Sequence, residues 1–173
     1  MLSILIPGLI LVALMVYAST RIKKTAAAAF DAETVETGDF VIQKPDGFLN
    51  KINRDERFAF EAYSKEFGVD EAADFRQGSI NLTIRDHGTV DDAVAEIAAS
   101  GDNIAEDLTE VIGSRRYRVI DVERVEKGVE FHVTYKLAEK EGKIYEMEAV
   151  RLAETSDEFS RKFDLMVGSF ELK

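Results

Sequence analysis

Three alternating runs near the C-terminus constrain the fold more than any other stretch. Residues 117–125, 129–137 and 143–152 each read as a strand, and the middle run alternates apolar and polar side chains throughout, the period of a strand buried on one face. Only residues 126–128 and 138–142 lie between them, with Glu126-Lys127-Gly128 and Glu139-Lys140-Glu141-Gly142 as the turns. Connections that short permit hairpins and exclude crossovers, so the runs form an antiparallel meander. In the middle run Val129, Phe131, Val133, Tyr135 and Leu137 share one face.

The flanking sequence supplies more strands and the helices that cover them. Residues 40–44 read as a short strand, stopped by the turn Pro45-Asp46-Gly47, after which Phe48 and Leu49 fold back on the core. Residues 57–67 place Phe58, Phe60 and Ala62 on one face and read as a second strand. Residues 79–86 alternate most cleanly, with Ile80, Leu82 and Ile84 opposite Asn81, Thr83 and Arg85. Thr89 then caps a helix with Asp91 and Asp92 in its first turn, and Val90, Val94 and Ile97 mark its apolar face. Ser100-Gly101 closes it. A second short helix or turn is expected next, with Ile104, Leu108 and Val111 inward. Thr155-Ser156-Asp157-Glu158 reads as a capping box opening a closing helix over about 156–169. Its stripe is Phe159, Phe163, Met166, Val167 and Phe170. The expected class is α+β, an antiparallel sheet with helices packed on it.

The first thirty residues differ from the rest. Residues 1–19 carry no charged side chain, and Arg21, Lys23 and Lys24 follow at once. The run is near the short end of what crosses a bilayer, about 20 residues. Tyr17 stands where an interfacial aromatic belongs. A secretory signal opens with a basic segment, which Met-Leu-Ser lacks. Residues 1–30 are therefore expected to form a single transmembrane helix with a basic, alanine-rich stalk, the bilayer taking residues 1–20, and residues 31–173 a globular domain. The membrane-flanking bases Arg21, Lys23 and Lys24 follow the span, which favours N-terminus out and the domain cytoplasmic.

Charge narrows the partners. The first thirty residues hold three bases and no acid, so residues 31–173 carry 19 bases against 33 acids, a formal charge of −14. Nucleic acid and bare anionic membrane repel such a domain. With no cysteine, disulfides and thioether-linked lipid anchors are excluded. Arg115, Arg116 and Arg118 form the one basic cluster of the domain, a candidate contact for an acidic partner or a lipid head group.

In this order the pieces resemble the PsbP-like family, which includes the photosystem extrinsic subunit, its bacterial relatives and a nuclear Ran-binding protein. The resemblance rests on Phe40-Val41-Ile42-Gln43-Lys44-Pro45-Asp46-Gly47-Phe48, on Ser79 to Arg85 followed by the Thr89 helix, and on Gly128 to Tyr135. Lys143-Ile144-Tyr145 and Phe163 to Phe170 complete it. It implies an α/β/α sandwich over residues 35–172 and a domain that docks on larger assemblies without catalysing a reaction. It implies no cofactor, and no binding residue carries over.

The chemical inventory agrees with that implication. Glu130 and His132 alternate on one strand face, but two ligands at i and i+2 make no metal site without a third. Asp86-His87 lacks a nucleophile, and Ser169 lacks the G-x-S-x-G elbow. No phosphate-binding glycine loop is present. Three functions remain in competition. The first is a non-catalytic, membrane-tethered accessory domain in a membrane complex. The second is a membrane-anchored carrier or sensor of a small apolar ligand, seated among Phe58, Phe60, Phe131, Tyr135, Phe159 and Phe163. The third, a pilin-like subunit, is disfavoured because position 5 is Leu5 where pilins place an acid.

Overall fold

The structure is a computed structural model that describes residues 12, 14–19, 21, 27–51 and 55–173. Seven strands form one antiparallel sheet in the order β3-β4-β5-β9-β8-β7-β6. They are β3 (Phe48–Asn50), β4 (Phe58–Ser64), β5 (Gly78–Arg85), β6 (Asn103–Ile112), β7 (Arg115–Glu126), β8 (Val129–Lys140) and β9 (Lys143–Leu152). A three-stranded sheet, β1 (Glu33–Glu36), β2 (Phe40–Lys44) and β10 (Glu171–Leu172), lies beside it. Two helices pack against these sheets, α1 (Val90–Ala99) and α2 (Asp157–Gly168).

The meander forms as its turns dictate. Lys127-Gly128 and Glu141-Gly142 each hold two residues at positive φ, 52° and 83°, then 54° and 74°, as the two-residue turns that match strand twist require. The second turn is tighter than expected. Glu139 and Lys140 belong to β8, and Lys140 pairs with Lys143 across the turn.

Opposite faces of the large sheet bury two separate cores. On one, Ala93 and Ile97 of α1 pack on Ile120, Val122, Val133, Tyr135 and Leu137. On the other, Phe159, Phe163 and Met166 of α2 join Phe60, Ile80, Leu82, Met147 and Ala149, with Phe40, Ile42 and Leu172 of the small sheet. This is helix–sheet–helix layering, with the anticipated apolar faces inward. Gly78 permits the second core to close, since a Cβ there would lie 2.8 Å from the Phe163 ring.

Two expectations are overturned. Residues 103–112 form strand β6, paired with β7 from Asn103↔Glu123 to Ile112↔Arg115, and are not helical. The spacing of Ile104, Leu108 and Val111 imitates a helix face, but long-range pairing with β7 decides the outcome. Ile104 and Val111 are exposed, at 39% and 65%, and only Leu108 is half-buried. The cap of α2 is Ser156, whose hydroxyl accepts from the Phe159 N–H at 3.2 Å. Thr155 instead meets the Ser160 hydroxyl at 2.9 Å. The reciprocal capping box belongs to α1, between Thr89 and Asp92.

Most of the expected membrane span lies outside the described residues, as do Lys23 and Lys24. Residues 14–19 and Arg21 are helical and exposed. Among the described residues no helix is long and apolar enough to cross a membrane.

Candidate functional site

The α2 side of the large sheet changes character across its width. Under α2 and the small sheet, which also cover Tyr117 of β7 and Ala138 of β8, it is apolar; on the rest of β6, β7 and β8 it is polar and open. Alternation dictates this. Glu106, Leu108 and Glu110 of β6 register with Asp121, Val119 and Tyr117 of β7. Val119, Asp121 and Glu123 register in turn with Lys136, Thr134 and His132 of β8. All these side chains therefore rise from one face. With α2 as its wall they enclose a groove of about 570 Å³, lined by Glu106, Glu110, Asp121, Glu123 and Asp164 against the cations Lys136 and Arg151.

Lys136 is the hinge between the two halves. It is 1% exposed, its ammonium 4.9 Å from the Tyr117 ring centre and 3.7 Å from the Glu110 carboxylate. It donates at 3.4 Å to the Gly168 carbonyl at the end of α2, where a cation is favoured by the helix dipole. Burial lowers its pKa, and Glu110 opposes that shift. Ser169 fastens the same helix end: it accepts from the Gln43 N–H at 2.9 Å and donates to the Met166 carbonyl at 2.7 Å. Its hydroxyl is thus a structural clasp between α2 and β2. Asp121 accepts from Thr134 at 2.5 Å, which fixes the groove floor.

The α1 side is polar too, but closed by its own pairs. Arg124 bonds Asp102 at 2.9 Å, Glu148 at 3.2 Å and the Tyr135 hydroxyl at 2.7 Å. Tyr135 donates to Glu148 at 3.0 Å, and burial beside that carboxylate pushes its pKa up to about 12. Arg85 joins Glu96 of α1 to Glu146, both at 2.6 Å. Burial raises the Glu146 pKa against the pull of Arg85. This network ties α1 and the loop after it to the sheet.

The basic cluster anticipated at the start of β7 is divided by the pleat. Arg115 lies on the groove side and donates to the Lys173 carbonyl at 2.7 Å. Arg116 and Arg118 lie on the other face. Arg118 is held by Asp107, at 2.6 Å to one carboxylate oxygen, and Arg116 is exposed. The aromatics expected to seat an apolar ligand are divided between the two cores: Phe60, Phe159 and Phe163 lie in one and Phe131 and Tyr135 in the other, all under 10% exposed, while Phe58 is half-buried. A shallow cleft of about 910 Å³ between β1–β2 and α2 is lined by other residues, among them Pro45 and Leu165. Among the described residues no three His, Asp or Glu side chains gather as metal ligands would. The acidic groove itself escaped the sequence reading. Its signal was the alternation of Glu106 and Glu110, then Asp121 and Glu123, with apolar residues between.

No family model and no curated protein sequence matches the chain. Its fold does match solved structures. LpqN of Mycobacterium tuberculosis, described as involved in cell envelope biogenesis, aligns with a TM-score of 0.58 at 10% identity, over 83% of this chain and 91% of that one. Cyanobacterial PsbP (CyanoP) of Synechocystis sp. PCC 6803 aligns at 0.57 and 13%, over 83% and 94%. The Saccharomyces cerevisiae Ran-binding protein Mog1p aligns at 0.52 and 13%, over 83% and 96%. At these identities the likeness is one of architecture: the chain has the PsbP-like fold.

Proposed function

We propose that this chain is a non-catalytic accessory domain, tethered to a membrane by residues 1–30, which docks on a protein partner through the acidic half of its sheet. The observation that carries the reading is the uncovered groove. Five carboxylates and two cations line a face that α2 leaves open. A row of like charges held in fixed register steers and orients a partner of opposite charge. The Ran-binding description of one structural neighbour supports a protein as the partner class. The uncharged run of residues 1–19, followed by Arg21, Lys23 and Lys24, supports the tether and favours a cytoplasmic domain.

Two measurements test this. Extraction of native membranes in mild detergent should release the protein in a complex larger than a monomer. Recovery only as a free monomer contradicts the docking role. A reporter active only in the cytoplasm, fused after Lys173, should be active; activity only of an export-dependent reporter reverses the orientation and leaves docking intact.

A further inference from the structure

We infer that β6 is the strand to which the partner adds an extended segment bearing lysine or arginine at alternate positions. The inference rests on the docking role proposed above and names the surface and the kind of segment it takes.

The two edges of the large sheet are unlike. At one edge β3 has three residues. At the other, β6 has ten, and it pairs only with β7 among the described residues. Every second backbone amide and carbonyl along its outer side is thus left for another strand or for water. Long edges of this kind are usually blunted by proline, lysine or bulges. β6 has neither proline nor lysine. It has one irregularity, between Ile104 and Glu106, and beyond it Glu106 to Ile112 pair with β7 without a break.

The side chains select what can add. Glu106, Leu108 and Glu110 face the groove, and Asp107, Thr109 and Val111 face the other side. A second copy of the chain would set this acidic row beside its own, and like charges opposite one another destabilise a strand pair. An extended segment reading basic–apolar–basic on its groove side satisfies the edge instead. Its main chain takes the free ladder positions, its central apolar residue covers Leu108, and its two cations meet Glu106 and Glu110. Main-chain bonds then give affinity and alternate side chains give specificity.

The probe is a fluorescein-labelled synthetic peptide, Thr-Lys-Thr-Val-Thr-Lys-Thr, titrated onto the full chain in detergent. Anisotropy gives its Kd, and hydrogen exchange gives the amides it protects. Three comparators accompany it: glutamate replacing both lysines, and two versions N-methylated at the odd or the even residues. The expected result is at least tenfold weaker binding of the glutamate peptide and of one N-methylated version. New protection should be confined to residues 106–112, and Glu106→Lys, an exposed change, should weaken the parent peptide about tenfold. Equal binding of both N-methylated versions would overturn strand addition and leave charge alone as the attraction. Absence of binding, or protection centred on α2 or on β1–β2, would overturn the assignment to β6. If either occurs while native membranes still yield a large complex, the edge assignment fails and the docking role stands; a free monomer removes both.

Discussion

The two halves of the α2 face are built from the same strands and end in opposite conditions. Under α2, Phe60, Ile80, Leu82, Met147 and Ala149 are each 0% exposed, and rings interlock, with Phe48 and Phe159 at 5.5 Å and Phe159 and Phe163 at 6.1 Å. Across β8 the same face carries Asp121, Glu123, Glu106 and Glu110 in the open. The reason is dimensional. Seven strands at about 4.8 Å spacing span roughly 29 Å, whereas a helix of α2's length is about 18 Å long and about 10 Å across. One helix cannot cover the sheet, and the small sheet adds its cover on the sealed side. What remains open carries mostly polar side chains, so the groove is a consequence of too few covering elements.

If the sealed half holds the fold together, the largest loss follows from cutting into it. Phe163→Ala should cost about 3–5 kcal/mol in urea unfolding, as buried aromatic truncations do. A loss below about 1 kcal/mol would mean that α2 is peripheral. Gly78→Ala adds a methyl group 2.8 Å from that ring and should cost about 1–3 kcal/mol by overpacking; a neutral effect would show slack in the sealed half.

The boundary between the halves is tested by pH. Burial lowers the Lys136 pKa below its ordinary 10.5, so between its folded and unfolded pKa values the unfolded chain binds more protons. Stability from this group therefore rises with pH up to about 10.5. Comparing wild type with Lys136→Met in urea from pH 7 to pH 10 should show the wild type gaining on the variant. A constant difference would mean that Lys136 is as well solvated as a surface lysine. The smallest effect belongs to the open half: Glu106→Gln should change stability by less than about 0.5 kcal/mol. A larger loss would make Glu106 part of the fold and not of a docking surface.

Much of this division was legible in residues. Val129 to Leu137 and Ile80 to Ile84 announced their buried faces by period alone, and Phe159 to Phe170 announced the covering stripe. What periodicity cannot say is how far a helix reaches across a sheet. The groove depends on which strands lie beyond α2, and so on the order β9-β8-β7-β6. β6 is hard to recognise in sequence for a related reason. An edge strand exposed on both faces has no buried apolar stripe to show, and the helical spacing of Ile104, Leu108 and Val111 masks the strand preference of the branched side chains at Ile104, Thr109, Val111 and Ile112. The Arg124 and Arg85 networks were invisible because their partners lie on elements distant in sequence, at Asp102, Glu148, Glu96 and Glu146.

Native-state hydrogen exchange on the unbound full chain compares the halves directly. Amides of β9, which is paired on both sides by β5 and β8, should exchange only through global unfolding. In β6, amides bonded to β7 should be slow and the alternate, outward amides from Glu106 to Ile112 fast. Uniform protection along β6, equal to that of β9, would mean the edge is already covered in the unbound protein and contradict an open half held for a partner.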